Sequence, residues 1–315
     1  MINDYLTLIK SEYGFGDEFS CDQIHNGPDN NVYVVNVGDN KYALRESKRL
    51  GKNVSFETEV LIKLNQLGFS VPKIVKTISG NYFIQVGDKQ FVLFDYISGG
   101  QVEKLGSEHL DSNLIECGAR KLGELHSLTN NLVITVKPSR SIFLELDRFL
   151  DLDQVSLNRF KDSDRVLEQV KSFYKEAQTR IDSKKELYGI IHNDYRIHNL
   201  IYTDNDCYII DFDWACYGPL LKDLGLAIAE WSIFSKISGP SKQAINKFIE
   251  NYNTKSPQKV TYNKDLVFWV CFACLSDTCT FLVDVCNGGH PDKIITEVDQ
   301  CHMYKKFKYF YQEIK

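Results

Sequence analysis

The chain has 315 residues and carries 37 Lys and Arg against 42 Asp and Glu, a formal net charge of −5. That balance excludes a general nucleic-acid binder, which needs a basic face to displace counterions. The composition, 43% hydrophobic and 25% charged, is that of a folded chain. At about 150 residues per domain the length predicts two domains or one two-lobed unit.

Nine cysteines are an odd number in a large chain, and no signal-peptide pattern stands at Met1–Lys10. A secreted disulfide framework is therefore not expected. The longest apolar run, Leu266 to Leu275, is about half of what a membrane span needs. These features predict a reduced, cytoplasmic protein with no membrane partner.

Residues 1–10 read as an amphipathic helix with Ile2, Tyr5, Leu6 and Ile9 on one face. Residues 19–46 read as strands, with turn signals at Asn26-Gly27-Pro28-Asp29 and Gly38-Asp39-Asn40. Asn53 to Leu67 has helical periodicity and ends at Gly68, as a helix closed by glycine does. Short β runs follow at Ile74-Val75, Tyr82–Ile84 and Phe91–Phe94, with hairpin turns at Gly80-Asn81 and Gly87-Asp88. Beyond Gly99-Gly100 the pattern is helical over 110–128, 163–182, 220–234, 241–252 and 264–285. The exception is 188–213, where short β-like runs flank polar loops. The expected fold class is α+β, with a small β-rich lobe over residues 1–95 and a larger helical lobe over 96–315.

The chemistry concentrates at Ile191-His192-Asn193-Asp194-Tyr195-Arg196-Ile197-His198-Asn199-Leu200, followed by Ile209-Ile210-Asp211-Phe212-Asp213. This is H-x-D-x-x-x-x-N and then a hydrophobic strand ending in Asp-Phe-Asp. Phosphoryl transfer needs these residue types. One Asp orients the acceptor hydroxyl and takes its proton, while an Asn amide oxygen and a second Asp hold magnesium against the ATP phosphates. Ordinary polar turn residues account for one such element more readily than for three in order.

The pattern resembles the aminoglycoside phosphotransferase family, small-molecule relatives of protein kinases that include choline kinases and type II homoserine kinases. The resemblance spans most of the chain and is strongest from His192 to Asp223. It implies a two-lobed, protein-kinase-like fold, ATP and Mg²⁺ as cofactors, and a small-molecule hydroxyl acceptor. By that resemblance Asp194 is catalytic, Asn199 and Asp211 are magnesium ligands, and His192 and Asp223 brace the catalytic loop. Asp213 is placed beside them as an assisting carboxylate, with an exposed turn residue as the plain alternative. The stretch Gly27–Tyr33 resembles the family's hairpin over the nucleotide and brings in Asn30. Arg45, in Tyr42-Ala43-Leu44-Arg45, stands where most kinases have Lys, and an always-charged fork can serve phosphate there. Glu57 matches its helical partner, with Glu59 as the competitor. Phe94, Asp95 and Tyr96 resemble the adenine-binding hinge, and His126 closes an L-x-x-L-H helix as a buried structural residue.

The run Asp211-Phe212-Asp213-Trp214-Ala215-Cys216 with Leu220–Leu224 and Trp231 is similar to type II homoserine kinases, so a homoserine-like amino alcohol is the expected acceptor. An aminoglycoside or other antibiotic kinase is the alternative, with Asp265, Asp277, Asp284, Glu297 and Asp299 as an acidic pocket. A choline-type kinase would use Trp214, Trp231 and Trp269 as a cage, although core packing accounts for those rings more simply. A paired-carboxylate hydrolase leaves Asn199 unexplained, and a degenerate, non-enzymatic kinase fold sits poorly with Asp194, Asn199 and Asp211 all present. A zinc site at Cys271, Cys274, Cys279 and Cys286 lacks a second correctly spaced pair. A monomer or homodimer is expected.

Overall fold

The computed structural model describes residues 2–26, 30–47, 54–101, 112–204, 206–232, 239–289 and 295–315. Helix α1 (Leu6–Tyr13) is followed by three strands, β1 (Phe19–Asn26), β2 (Asn30–Val37) and β3 (Asn40–Ser47). Helix α2 (Val54–Gln66), β4 (Ile84–Val86), β5 (Lys89–Asp95) and β6 (Gly100–Gln101) complete the first part of the chain. Strands β1–β5 form one antiparallel sheet in the order β1-β2-β3-β5-β4.

The sheet forms because alternation sends one set of side chains inward. Tyr33, Val35, Leu44, Ile84, Phe91 and Leu93 make one buried cluster with Ile9 and Tyr13 of α1. The pairing Val32 opposite Arg45 and Ala43 opposite Phe94 fixes the register of β3 between its two neighbours. Gly87-Asp88 closes the β4–β5 hairpin, with Val86 opposite Lys89. Gly80, by contrast, lies in a turn tied to the Thr77 carbonyl, outside the described ladder. The expected turn residues Gly27, Pro28 and Asp29, and the expected helix starts Asn53 and Leu110, lie outside the described residues.

Beyond these come α3 (Ser112–Thr129), α4 (Leu144–Leu150), α5 (Gln154–Leu157), α6 (Ser163–Asp182), β7 (Tyr188–Ile191), β8 (Leu200–Tyr202), β9 (Cys207–Ile209), β10 (Cys216–Pro219), α7 (Leu220–Trp231), α8 (Lys242–Lys255), α9 (Lys264–Cys286) and α10 (His302–Tyr311). Strands β7 and β10 pair antiparallel. Helix α9 packs against α4, α7 and α10, and α3 packs against α8. Two close approaches set this packing. A Cβ on Gly118 would stand 2.3 Å from the Trp231 ring, and one on Gly225 2.6 Å from the Trp269 backbone.

Helix α9 is long and apolar enough, by length and composition, to cross a membrane. Most of its side chains are nonetheless buried inside its own unit, where α4, α7 and α10 pack on it. Its cysteines Cys271, Cys274 and Cys279 are fully buried, as small apolar residues are.

The chain divides into two units that are discontinuous in sequence. The first is residues 1–100, 134–139 and 201–213, and the second is residues 101–133, 140–200 and 214–315. The segment carrying Asp211 and Asp213 thus belongs with the sheet unit, and Asp194 and Asn199 belong with the helical unit.

Candidate active site

In the sheet unit, Arg45 is the organising charge. Its strand places it opposite α2, where Glu57 receives both guanidinium ends, at 2.6 and 2.5 Å. The pair is almost fully buried. Asp211 lies on the other side, with Oδ1 3.5 Å from the same guanidinium. Burial alone would favour a neutral Arg45, but the fields of Glu57, Asp211 and Asp213 hold it firmly charged. Glu59 turns elsewhere and accepts from Thr135 and Val136, so it is not the partner of Arg45.

Asp211 adopts the left-handed backbone, with φ +65, which non-glycine residues rarely enter. Asp213 is buried and accepts a hydrogen bond from the Asn30 side-chain amide at 3.1 Å. The oxygens of Asp211 and Asp213 suit a hard divalent cation, and with Glu57 they outnumber the positive charge of Arg45. In the hinge segment Phe94 is buried, whereas Asp95 and Tyr96 are exposed. The Asp95 N–H is already given to the Lys73 carbonyl at 2.9 Å, so that group is not available to an adenine ring. Lys41 stacks over the Tyr96 ring at 4.1 Å.

In the helical unit, the loop between β7 and β8 holds Asp194 and Asn199. The Asn199 amide donates to the Asp194 carbonyl at 2.9 Å and to its Oδ2 at 3.0 Å. That leaves the amide oxygen as the ligand atom Asn199 can offer a cation. Arg196 Nε donates to Asp194 Oδ1 at 2.5 Å. Burial pushes Asp194 up, but the Arg196 guanidinium beside it and the nearby His192 and His198 bring it below the ordinary carboxylate range.

Asp223, on the first turn of α7, accepts the backbone N–H of both His192 and Asn193 at 2.7 Å. His126 also reaches it, at 3.4 Å, and is held in turn by Tyr252 at 2.8 Å. Burial raises Asp223, and the His126 hydrogen bond with the fields of His126, His192 and Lys222 lowers it by more. His192 is fully buried, and its Nδ1 accepts the Asp194 N–H at 3.3 Å.

The motif spacing gives no role to Arg196 or Lys222, and Asp277 is expected only as one of five acids of an acidic pocket or helix surface. Arg196 also binds Asp277 of α9 and comes within 3.6 Å of Glu230 of α7. Lys306 of α10 completes the set at 2.9 Å from Glu230. Burial pushes Asp277 up, against the opposing field of Arg196. The other four expected pocket acids pair with cations away from this loop: Asp265 with Arg180, Asp284 with Arg148, Glu297 with Lys161, and Asp299 with Arg165 and Lys308. The three tryptophans are divided among separate packing sites. Trp231 lies beside Tyr195 and Phe248, Trp269 beside Phe268 and Phe272, and Trp214 carries Arg140 over its ring at 4.1 Å.

The sequence profile of the phosphotransferase enzyme family matches residues 20–244. The chain belongs to that family. Membership makes it an ATP-dependent phosphotransferase acting on a small molecule. Solved structures share the kinase-like fold at low identity. One is an amicoumacin kinase in complex with AMP-PNP, Ca²⁺ and Ami, 14% identical over 99% of this chain and 92% of that one, with a TM-score of 0.74. A choline kinase from Cryptosporidium parvum is 13% identical over 99% and 95%, with a TM-score of 0.69. A microcompartment-associated aminopropanol kinase is 16% identical over 95% and 100%, with a TM-score of 0.66. No curated protein sequence matches the chain.

Proposed function

We propose that this phosphotransferase moves the γ-phosphoryl group of ATP, with Mg²⁺, onto a hydroxyl of a homoserine-like amino alcohol. The observation that carries the reading is Asp194, an ionised carboxylate held by Asn199 on one oxygen and Arg196 on the other. A carboxylate this weakly basic orients the hydroxyl first. It takes the proton only as the acceptor oxygen bonds to phosphorus and the bond to the ADP oxygen breaks.

Arg45, backed by Glu57, binds the α- and β-phosphates as a fork. Asn30 belongs to the phosphate hairpin, and Phe94 to Tyr96 line the adenine site. Asp211 and Asn199 are the proposed magnesium ligands, with Asp213 assisting. Magnesium, when bound, neutralises phosphate charge. His192 and Asp223 brace the loop. A cytoplasmic setting belongs to the same proposal.

An antibiotic kinase is the second reading, favoured by the likeness to an amicoumacin kinase. Asp277 beside Arg196 would then serve acceptor amines. A choline-type acceptor is less well supported, since the tryptophans form no shared cage.

A coupled ADP assay over homoserine, aminopropanol, choline, sugars and aminoglycosides tests the acceptor. Asp194→Ala is expected to lower turnover with the best acceptor about 10²–10⁴-fold. Undiminished turnover overturns the role of Asp194, and MgATP binding without ADP release from any acceptor would mark a binding module.

A further inference from the structure

Lys222 is a buried cation in an unfavourable place. It lies in the first turn of α7 and is 3% exposed. A positive charge there opposes the helix dipole, and burial disfavours its charged form. The neighbouring Asp223 favours its charged form, and its ammonium is hydrogen-bonded to Asn193. Nζ donates to the Asn193 main-chain carbonyl at 3.1 Å and to the Asn193 side-chain oxygen.

Asn193 is the residue immediately before Asp194, and it sits at φ +65. Its remaining polar groups are also engaged. The backbone N–H goes to Asp223 at 2.7 Å, and the side-chain amide goes to the Trp214 carbonyl at 3.2 Å. A left-handed residue costs free energy and persists only where its surroundings over-determine it. Here each polar group of Asn193 is fixed from α7 or its approach.

We propose that Lys222 is a positioning residue for phosphoryl transfer: by clamping Asn193 in the left-handed turn, it sets the place of the Asp194 carboxylate. The inference rests on the catalytic role proposed for Asp194. The reason for a charge, rather than an apolar side chain, is geometric. One ammonium satisfies two oxygens of Asn193 that point the same way, which no apolar group can do.

The test compares Lys222→Met, Asn193→Ala, Asn193→Gly and Asp194→Ala in MgATP turnover, with kcat and KM measured separately, and in thermal unfolding. Lys222→Met is expected to lower kcat about tenfold or more, as small misplacements of a reacting group do, with KM for ATP unchanged. Asn193→Gly is expected to lose several-fold less than Asn193→Ala, because glycine enters the turn without strain. Full turnover in Lys222→Met beside an inactive Asp194→Ala overturns the clamp and leaves the role of Asp194 standing. An active Asp194→Ala overturns the functional reading instead. Should Lys222→Met fail to fold, equal losses in Asn193→Ala and Asn193→Gly overturn the clamp. Should wild type show no turnover, the Tm values of Lys222→Met, Asn193→Ala and the double variant decide: non-additive shifts support the pair, and additive shifts overturn it.

Discussion

Each unit of the molecule sets an arginine among carboxylates, and the two are held by different means. Arg45 sits on a strand and is chelated by Glu57, from the next helix in the chain. Arg196 sits in a loop, and its carboxylates come from that loop, from α7 and from α9. The first arrangement is centred on a bidentate pair built within one strand–helix step, with Asp211 added on its other side at 3.5 Å. The second assembles only after distant helices have packed. A bidentate fork fixes one geometry, whereas a guanidinium shared among three carboxylates sets how strongly each holds its proton. The sheet unit thus uses arginine for shape, and the helical unit uses it to tune Asp194.

The largest loss is expected at Arg45. Arg45→Met leaves Glu57 buried without its partner, which is expected to cost about 3–5 kcal/mol in denaturant unfolding. The double variant Arg45→Met with Glu57→Leu should recover most of that. A single variant as stable as wild type would show that the pair carries no structural role.

The helical unit should answer instead to packing. Gly118→Ala drives a methyl group into Trp231 and disturbs the Gly118 carbonyl that accepts the Tyr195 hydroxyl at 2.7 Å. A loss of about 1–3 kcal/mol is expected, together with lower turnover, because Tyr195 adjoins Asp194. A variant with unchanged Tm and turnover would uncouple α3 from the loop.

The smallest effect concerns protons. Asp194 is depressed in the folded state, so its stabilising contribution is complete above the ordinary carboxylate pKa and is lost as pH falls through the folded value. Arg196→Gln removes the leading cause of that depression. The acid limb of kcat/KM should move to higher pH, and thermal stability should begin to fall at a higher pH than in wild type. An unmoved acid limb would mean that Arg196 does not tune Asp194.

The Arg45–Glu57 device was legible because strand, turn and helical periodicity put both residues at readable places within one short stretch. The loop from His192 to Asn199 was legible for the same reason, its residue types being spaced along one segment. Asp277, Glu230 and Lys306 were not. Each lies on a separate helix, and the pattern around Asp277 is no different from that around Asp265 or Asp284, which meet surface cations. Lys222 reads as an ordinary exposed lysine until the packing of α7 is known. Helix α10 was missed because Lys305, Lys306 and Lys308 interrupt its apolar pattern, although Lys306 is buried on Glu230. The strand Phe91–Phe94 is readable from its apolar run, but only the fold shows that Lys73 already occupies the Asp95 amide.

Helix α9 also bears on how the chain is made. It is mostly apolar, and one of the surfaces covering it is α10, which is translated later. At about 5–20 residues per second, the 25 residues from Asn287 to Tyr311 take on the order of one to five seconds to synthesise. During that interval the nascent chain carries a greasy segment resembling a membrane insert with its final cover missing. Production of this enzyme should therefore depend on chaperone supply and growth temperature more than the stability of the finished fold suggests.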